Sequence, residues 1–209
     1  MADSMDFNGA ETQDAAFDLI PANTLVKVTL SIRPGGTGPE GWLSQSRTSS
    51  ALYLNTEAVV LEGPHARRRI YTRIGFKGKS VNERGEDTYA NRGRALIRGI
   101  LESARGIKAS DQSEVARTAR MIRSLGELSG LEFVARIGIE RDKDKPEDSG
   151  RNVIKAAIGA DHAEYASLMG SVPQPPQQGQ FTASGPQLVD NGMGQSGAPS
   201  SGSAPFWAR

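Results

Sequence analysis

ALYLNTEAVVLEGPHARRRIYTRIGFK, residues 51–77, decides the fold class. From Ala51 to Leu61 the residues alternate. Leu52, Leu54, Ala58 and Val60 fall on one side and Tyr53, Asn55 and Glu57 on the other, the period of a half-buried strand. Gly63-Pro64 turns the chain. From Arg67 to Lys77 a further strand sets Ile70, Thr72, Ile74 and Phe76 against Arg69, Tyr71, Arg73 and Lys77. One face of this strand-turn-strand unit is therefore both basic and aromatic.

Upstream, Leu25 to Arg33 alternates in the same way, with Val26, Val28, Leu30 and Ile32 opposite Lys27, Thr29, Ser31 and Arg33. Pro34 ends that strand, and Pro34 to Ser50, rich in Gly, Ser and Thr, reads as a long mobile loop carrying one large residue, Trp42. Downstream, 78–89 is a polar connection. Leu96, Ile97, Ile100, Leu101 and Ala104 then recur at helical spacing up to Gly106. Asp111, with Glu114 three residues later, is read as the N-cap of a short helix running through Val115, Ala119, Ile122 and Leu125. Leu131 to Ile139 and Asn152 to Ile158 form two more strands around the charged loop Glu140 to Asp148, and Asp161 to Met169 closes with a helix.

The sum is a β-rich α+β fold. Five strands with inserted helices and one polar sheet face suit an OB-fold-like five-stranded barrel, although an open α+β sheet generates the same string. The organisation read from composition is a disordered acidic leader over 1–16, an OB-like nucleic-acid-binding domain over 17–169, and a disordered tail over 170–209. In that tail Pro, Gln, Gly and Ser replace any apolar period.

Charge and composition narrow the function classes. The net charge of +1 conceals an asymmetry: Asp3, Asp6, Glu11, Asp14 and Asp18 occur in 1–20 without one Lys or Arg, whereas His65 to Lys108 holds twelve Lys and Arg against four acids. Such a local excess attracts polyanions. With no cysteine, disulfides, thiolate metal sites and cysteine nucleophiles drop out, and a cytoplasmic setting is the simplest reading. No apolar run is long enough for a membrane span, so no membrane partner is expected.

A catalytic apparatus does not emerge. His65 and His162 lack metal-ligand spacing, and Asp142, Asp144, Glu147 and Asp148 are interleaved with Lys143 and Lys145 and lack the glycine of a calcium loop. Gly35 to Gly41 lacks the Gly-Lys-Ser/Thr ending of a phosphate-binding loop. The expectation is a binding protein that is not an enzyme and uses no cofactor or metal.

Single-strand binding needs cations along a groove for phosphates and flat rings for unpaired bases. Arg69, Tyr71, Arg73 and Lys77 supply both on one strand, with Tyr53 and Lys27 extending the surface if the strands are neighbours and Trp42 closing over it. Arg67 and Lys79 flank the strand, and Arg92, Arg94 and Arg98 on the first helix lengthen the track. Each has a plainer reading as surface charge or core cover; the co-facial placement is the stronger signal.

The segments LIPANTLVKVTL, YLNTEAVVLEGPHARRRIYTRIGF, GRALIRGILESARGI and LSGLEFVARIGIERDKDKPEDSGRNVIKAAIGADHAEYASLM together resemble a family of small phage and prophage proteins. Some members of that family are described as single-stranded DNA-binding proteins of replication or recombination modules. The resemblance spans Phe17 to Met169 and implies an OB-like core, no cofactor and DNA as ligand. Asn23 stands where the family has Gly in its Pro-x-Gly opening, a substitution that left-handed geometry tolerates. Many bacterial single-strand binders end in an acidic tail closing on Pro-Phe that recruits replication and recombination proteins. Here Pro205, Phe206 and Trp207 form a candidate partner-binding tip, but Ala208 and Arg209 follow and no acid occurs after Asp190. The expected partners are single-stranded DNA and such proteins, and a homo-oligomer is compatible with the sequence. The alternative is an accessory factor of a replication or recombination complex that binds a protein partner.

Overall fold

The computed structural model describes residues 6, 8–10, 18–142 and 149–170. The expectations for the leader over 1–16, apart from those four positions, and for the tail beyond Gly170 lie outside the described residues, as does the 143–148 part of the charged loop.

The chain runs β1 (Leu25–Arg33), β2 (Ser44–Gln45), β3 (Leu52–Val60), β4 (Arg69–Lys77), α1 (Thr88–Ala104), α2 (Glu114–Ala119), β5 (Glu132–Glu140), β6 (Arg151–Ile158) and α3 (Tyr165–Met169). All strand pairs are antiparallel. β3 is central to one half: Asn55 to Val60 pair with β1 on one side, while Leu52 to Val59 pair with β4 on the other. β1 in turn pairs with β5, and β5 with β6. The short β2 continues the β1 side of β3, opposite Leu52 and Tyr53.

The result is a six-stranded antiparallel sheet that is not closed into a barrel, which corrects the expected five-stranded closure. β4 and β6, at its two ends, share no ladder. They meet at Thr72, whose buried hydroxyl accepts a hydrogen bond from the Ile154 amide (2.9 Å) while its carbonyl accepts from the Thr56 hydroxyl (2.7 Å). α1 packs on both β4 and β6 and so spans the two ends of the sheet. It comes close because two glycines meet there: a Cβ on Gly93 would lie 1.7 Å from the Gly75 carbonyl oxygen.

Alternation places the core as expected. Val26, Val28, Leu30 and Ile32 of β1, Leu54, Ala58 and Val60 of β3, and Ile70 and Ile74 of β4 are buried with Phe133, Ile137, Ile100 and Leu101. Ile20 joins them, its amide and carbonyl both held by the Asn152 side chain at 2.9 and 2.8 Å. A second apolar cluster of Val134, Ile158, Tyr165 and Met169, with Leu25 against it, lets α3 cover β1 and β5.

Several local expectations are corrected. The Pro34 to Ser50 loop contains a 3-10 turn at Pro39–Gly41 and the strand β2, with Thr37 bridged to Leu43. β4 opens at Arg69 rather than Arg67, because Arg67 takes a left-handed φ of 68° in the turn. A bulge at the far end of β4 shifts the register, so Phe76, expected inside, is 39% exposed. The N-cap of α2 is Ser113, whose hydroxyl accepts from the Ala116 amide; Asp111 instead accepts from the Ser113 amide (2.8 Å). α2 stops at Ala119, and Leu125 belongs to a separate 3-10 turn closed by a Ser124/Glu127 capping box. α3 starts only at Tyr165. Among the described residues no helix is long and apolar enough to cross a membrane.

Candidate nucleic-acid interface

The outward face of β3 and β4, continued by the last residues of β1, is left uncovered by α3. Register sets its rows. Ser31, Glu57 and Tyr71 stand side by side across β1, β3 and β4; Arg33, Asn55 and Arg73 form the next row; Tyr53 opposite Gly75 forms the third. Arg69 flanks the first row, opposite Val59.

Glu57 is the hub of this face. Its residue is 7% exposed, yet it carries no uncompensated charge: Arg33 donates to Oε2 through Nε (3.1 Å) and Nη2, and Arg69 donates to Oε1 through Nη1. The hydrogen bond from Arg33 holds the Glu57 carboxyl below its ordinary value, against the opposing effect of burial, and Arg69 adds to the lowering. Arg33 reaches across β3 to lie over the Tyr71 ring, 5.2 Å from its centre, and Arg73 lies 5.1 Å from the centre of Tyr53. Each such cation–π contact contributes about 0.5–1 kcal/mol at an exposed site. Each tyrosine thus has one ring face against an arginine.

Tyr89, at the start of α1, adds a third ring. A Cβ on Gly75 would lie 2.8 Å from it, and burial raises its phenol above the ordinary value while Arg73 opposes that shift. Three of the four tyrosines in the chain therefore gather at or beside one face. The fourth, Tyr165, donates its hydroxyl to the Ser103 carbonyl at 2.5 Å.

Of the residues expected to bind, Tyr53, Arg69, Tyr71 and Arg73 are brought together here. Lys77 and Lys79 are exposed at and just past the end of β4, Arg67 in the turn before it, and Arg92 and Arg94 near the start of α1, where Arg94 donates to Asn91 (2.8 Å). Three residues are engaged elsewhere. Lys27 pairs with Glu132 at 3.1 Å beside α3. Trp42 packs against the core and Gly126, its indole nitrogen donating to Glu40 at 3.1 Å. Arg98 pairs with the buried Glu102 (2.8 Å) and donates to the Ala109 carbonyl (3.2 Å). Pro205, Phe206 and Trp207 lie outside the described residues.

Sequence reasoning missed Arg33 and Tyr89 as members of the face and Glu57 as its counter-charge. The polar side of the first strand held Arg33 in view, but only the neighbour relation β1–β3–β4 puts it beside Tyr71. Tyr89 is marked only by Gly75, which leaves room for a ring.

Among the described residues no group of three or more His, Cys, Asp or Glu side chains is placed to hold a metal ion. Compared with models of known protein families the chain matches none, and no curated protein sequence matches it.

Proposed function

We propose that this protein binds single-stranded DNA, as some of the phage and prophage proteins it resembles are described to do, that it does so on the open face of β3 and β4, and that it acts by binding, without a cofactor, in replication or recombination inside the cell. The single observation that carries the reading is co-facial placement: Arg33, Arg69 and Arg73 stand among Tyr53 and Tyr71 on the part of the sheet that α3 leaves bare. Arginine forks suit phosphates and the rings suit unpaired bases, the two components of sequence-tolerant single-strand binding.

The strand order supports a partly open barrel of OB type. Leaving aside the two-residue β2, the long strands run β4, β3, β1, β5, β6, the helix α1 lies between the third and fourth long strands in sequence, and β4 and β6 meet at Thr72. In OB-folds the second and third strands are the oligonucleotide-binding face, and here those are β3 and β4.

The test is fluorescence anisotropy of a labelled 30-nucleotide oligo-dT, beside a duplex of equal length, at low and moderate salt. Tight binding that prefers the single strand and weakens steeply with salt is expected. Salt-insensitive binding, or none at low salt, overturns the reading in favour of an accessory factor that recognises a protein.

A further inference from the structure

Among the described residues two carboxylates, Glu57 and Glu102, are buried and each is held by two arginines, yet the surroundings differ. At Glu102 the second arginine, Arg120, is itself largely buried, and it also donates to the Asp111 and Lys108 carbonyls at 2.8 and 3.0 Å. That hub ties a loop to α1. At Glu57 the side chain is 9% exposed while those of Arg33 and Arg69 are 57% and 63% exposed, and among the described residues neither arginine donates to a backbone carbonyl. Two long side chains from different strands are thus fixed at their tips on an open surface, with guanidinium hydrogens still unspent.

We infer that Glu57 is a positioning residue for the single-strand site: its buried carboxylate holds Arg33 of β1 and Arg69 of β4 in the places from which they meet the phosphates of the strand. The inference rests on the single-strand reading above. At first sight a carboxylate beneath an anion-binding face is adverse. A negative charge about 6 Å from a phosphate in water costs roughly threefold in affinity. Fixing a long side chain only on binding costs roughly two- to tenfold for each one immobilised. With two arginines fixed in advance, positioning outweighs the repulsion. Arg33 also keeps its place over Tyr71, so the ring is held along with the cation.

The test uses the full chain, labelled oligo-dT and thermal melts. Glu57→Gln, although it removes a negative charge, is expected to weaken binding by at least threefold. Glu57→Asp, which keeps the charge but shortens the arm, is expected to weaken it in the same sense. Glu132→Gln, which removes an acid from the Lys27 side of the sheet, serves as the charge control and does not weaken binding. The readout that separates positioning from mere structural support is a double-mutant cycle. In an Arg33→Ala/Arg69→Ala background the Glu57→Gln change is expected to cause no further loss. Equal or tighter binding by both Glu57 variants overturns the inference, as does an equal loss in both backgrounds. If the wild-type chain itself ignores oligo-dT, the single-strand reading fails and takes this inference with it; if the wild type binds and the variants do not weaken, only the inference fails.

Discussion

At the scale of single residues, the proposed site rests on rings and forks that have a free side. Tyr71 is 47% exposed and has Arg33 near one ring face; in the proposed complex the other ring face meets a base. Replacing Tyr71 or Tyr53 by Ala is expected to lower the affinity for oligo-dT by about 1–3 kcal/mol each, with the fold retained. Anisotropy with a parallel circular dichroism spectrum checks this, and an unchanged affinity for both variants sinks the assignment of the rings. Lys27 is the contrasting case. Its ammonium is held by Glu132 and, at 3.5 Å, by the Met169 carbonyl, so Lys27→Ala is expected to leave affinity within about twofold in the same titration. The alternation around Arg69, Tyr71 and Arg73 was legible because a strand's period assigns sides without knowledge of its neighbours. Arg33 and Lys27 show the limit of that logic. Both sit on the polar side of one strand, but Arg33 lies at the end facing β3 and β4, whereas Lys27 opposes Val134 of β5 beneath α3. Only the pairing order separates them.

At the scale of elements, α1 is seated by glycines that do different things. Gly93 is buried against β4, where a Cβ would lie 1.7 Å from a carbonyl oxygen and 2.7 Å from its carbon. Gly93→Ala must push the helix off the strand and is expected to destabilise the fold by about 3 kcal/mol. Gly99, six residues further along, would bring its Cβ no nearer than 3.5 Å to Ala157, an ordinary contact. Gly99→Ala is therefore expected to stabilise by up to about 1 kcal/mol through helix propensity. Urea unfolding of the two variants, in which the same substitution moves the midpoint in opposite directions, checks both signs. From sequence both glycines read only as weak points of the helix, since propensity cannot see the strand beneath. The long strands were legible for the opposite reason: unbroken apolar/polar alternation, as over Val26 to Arg33 in β1, is the period of a strand. What escaped was short or irregular. β2 has two residues and hence no period; the bulge that exposes Phe76 is a register shift, with Lys77 opposite Leu52 and Gly75 opposite Tyr53; and the α2 cap fell to Ser113, whose amide Asp111 ties in the preceding turn. That the sheet stays open also lay beyond the pattern: between β4 and β6 a single hydroxyl, Thr72, stands where a ladder would be needed.

At the scale of the whole molecule, four carboxylates among the described residues are held by hydrogen bonds that make stability depend on pH with a definite sign. Glu57 is lowered chiefly by Arg33, Asp87 by the Ala90 amide and then Gly78, Asp111 by the Ser113 amide, and Glu127 by the Arg123 amide. Each has a folded value below its ordinary one of 4.5 for Glu or 3.8 for Asp. Their contributions are therefore complete above those ordinary values and disappear as the pH falls through the lowered ones. Thermal melts are expected to be level above about pH 5.5 and to move to lower temperature as the pH falls from about 5 towards 2. A midpoint that rises on acidification contradicts the account.

The claim at the centre of this picture is that the bare half of the sheet is the single-strand site. The most direct measurement is a titration of isotope-labelled protein with a short oligo-dT, followed by backbone amide shifts in NMR spectra. The account predicts that the largest changes fall on the end of β1 at Ser31 to Arg33, on Tyr53 to Val59 of β3 and on Arg69 to Gly75 of β4, with α3 and the Leu25 end of β1 little affected. Changes centred on α2 or α3, or no changes at concentrations where the oligonucleotide is in excess, would contradict it.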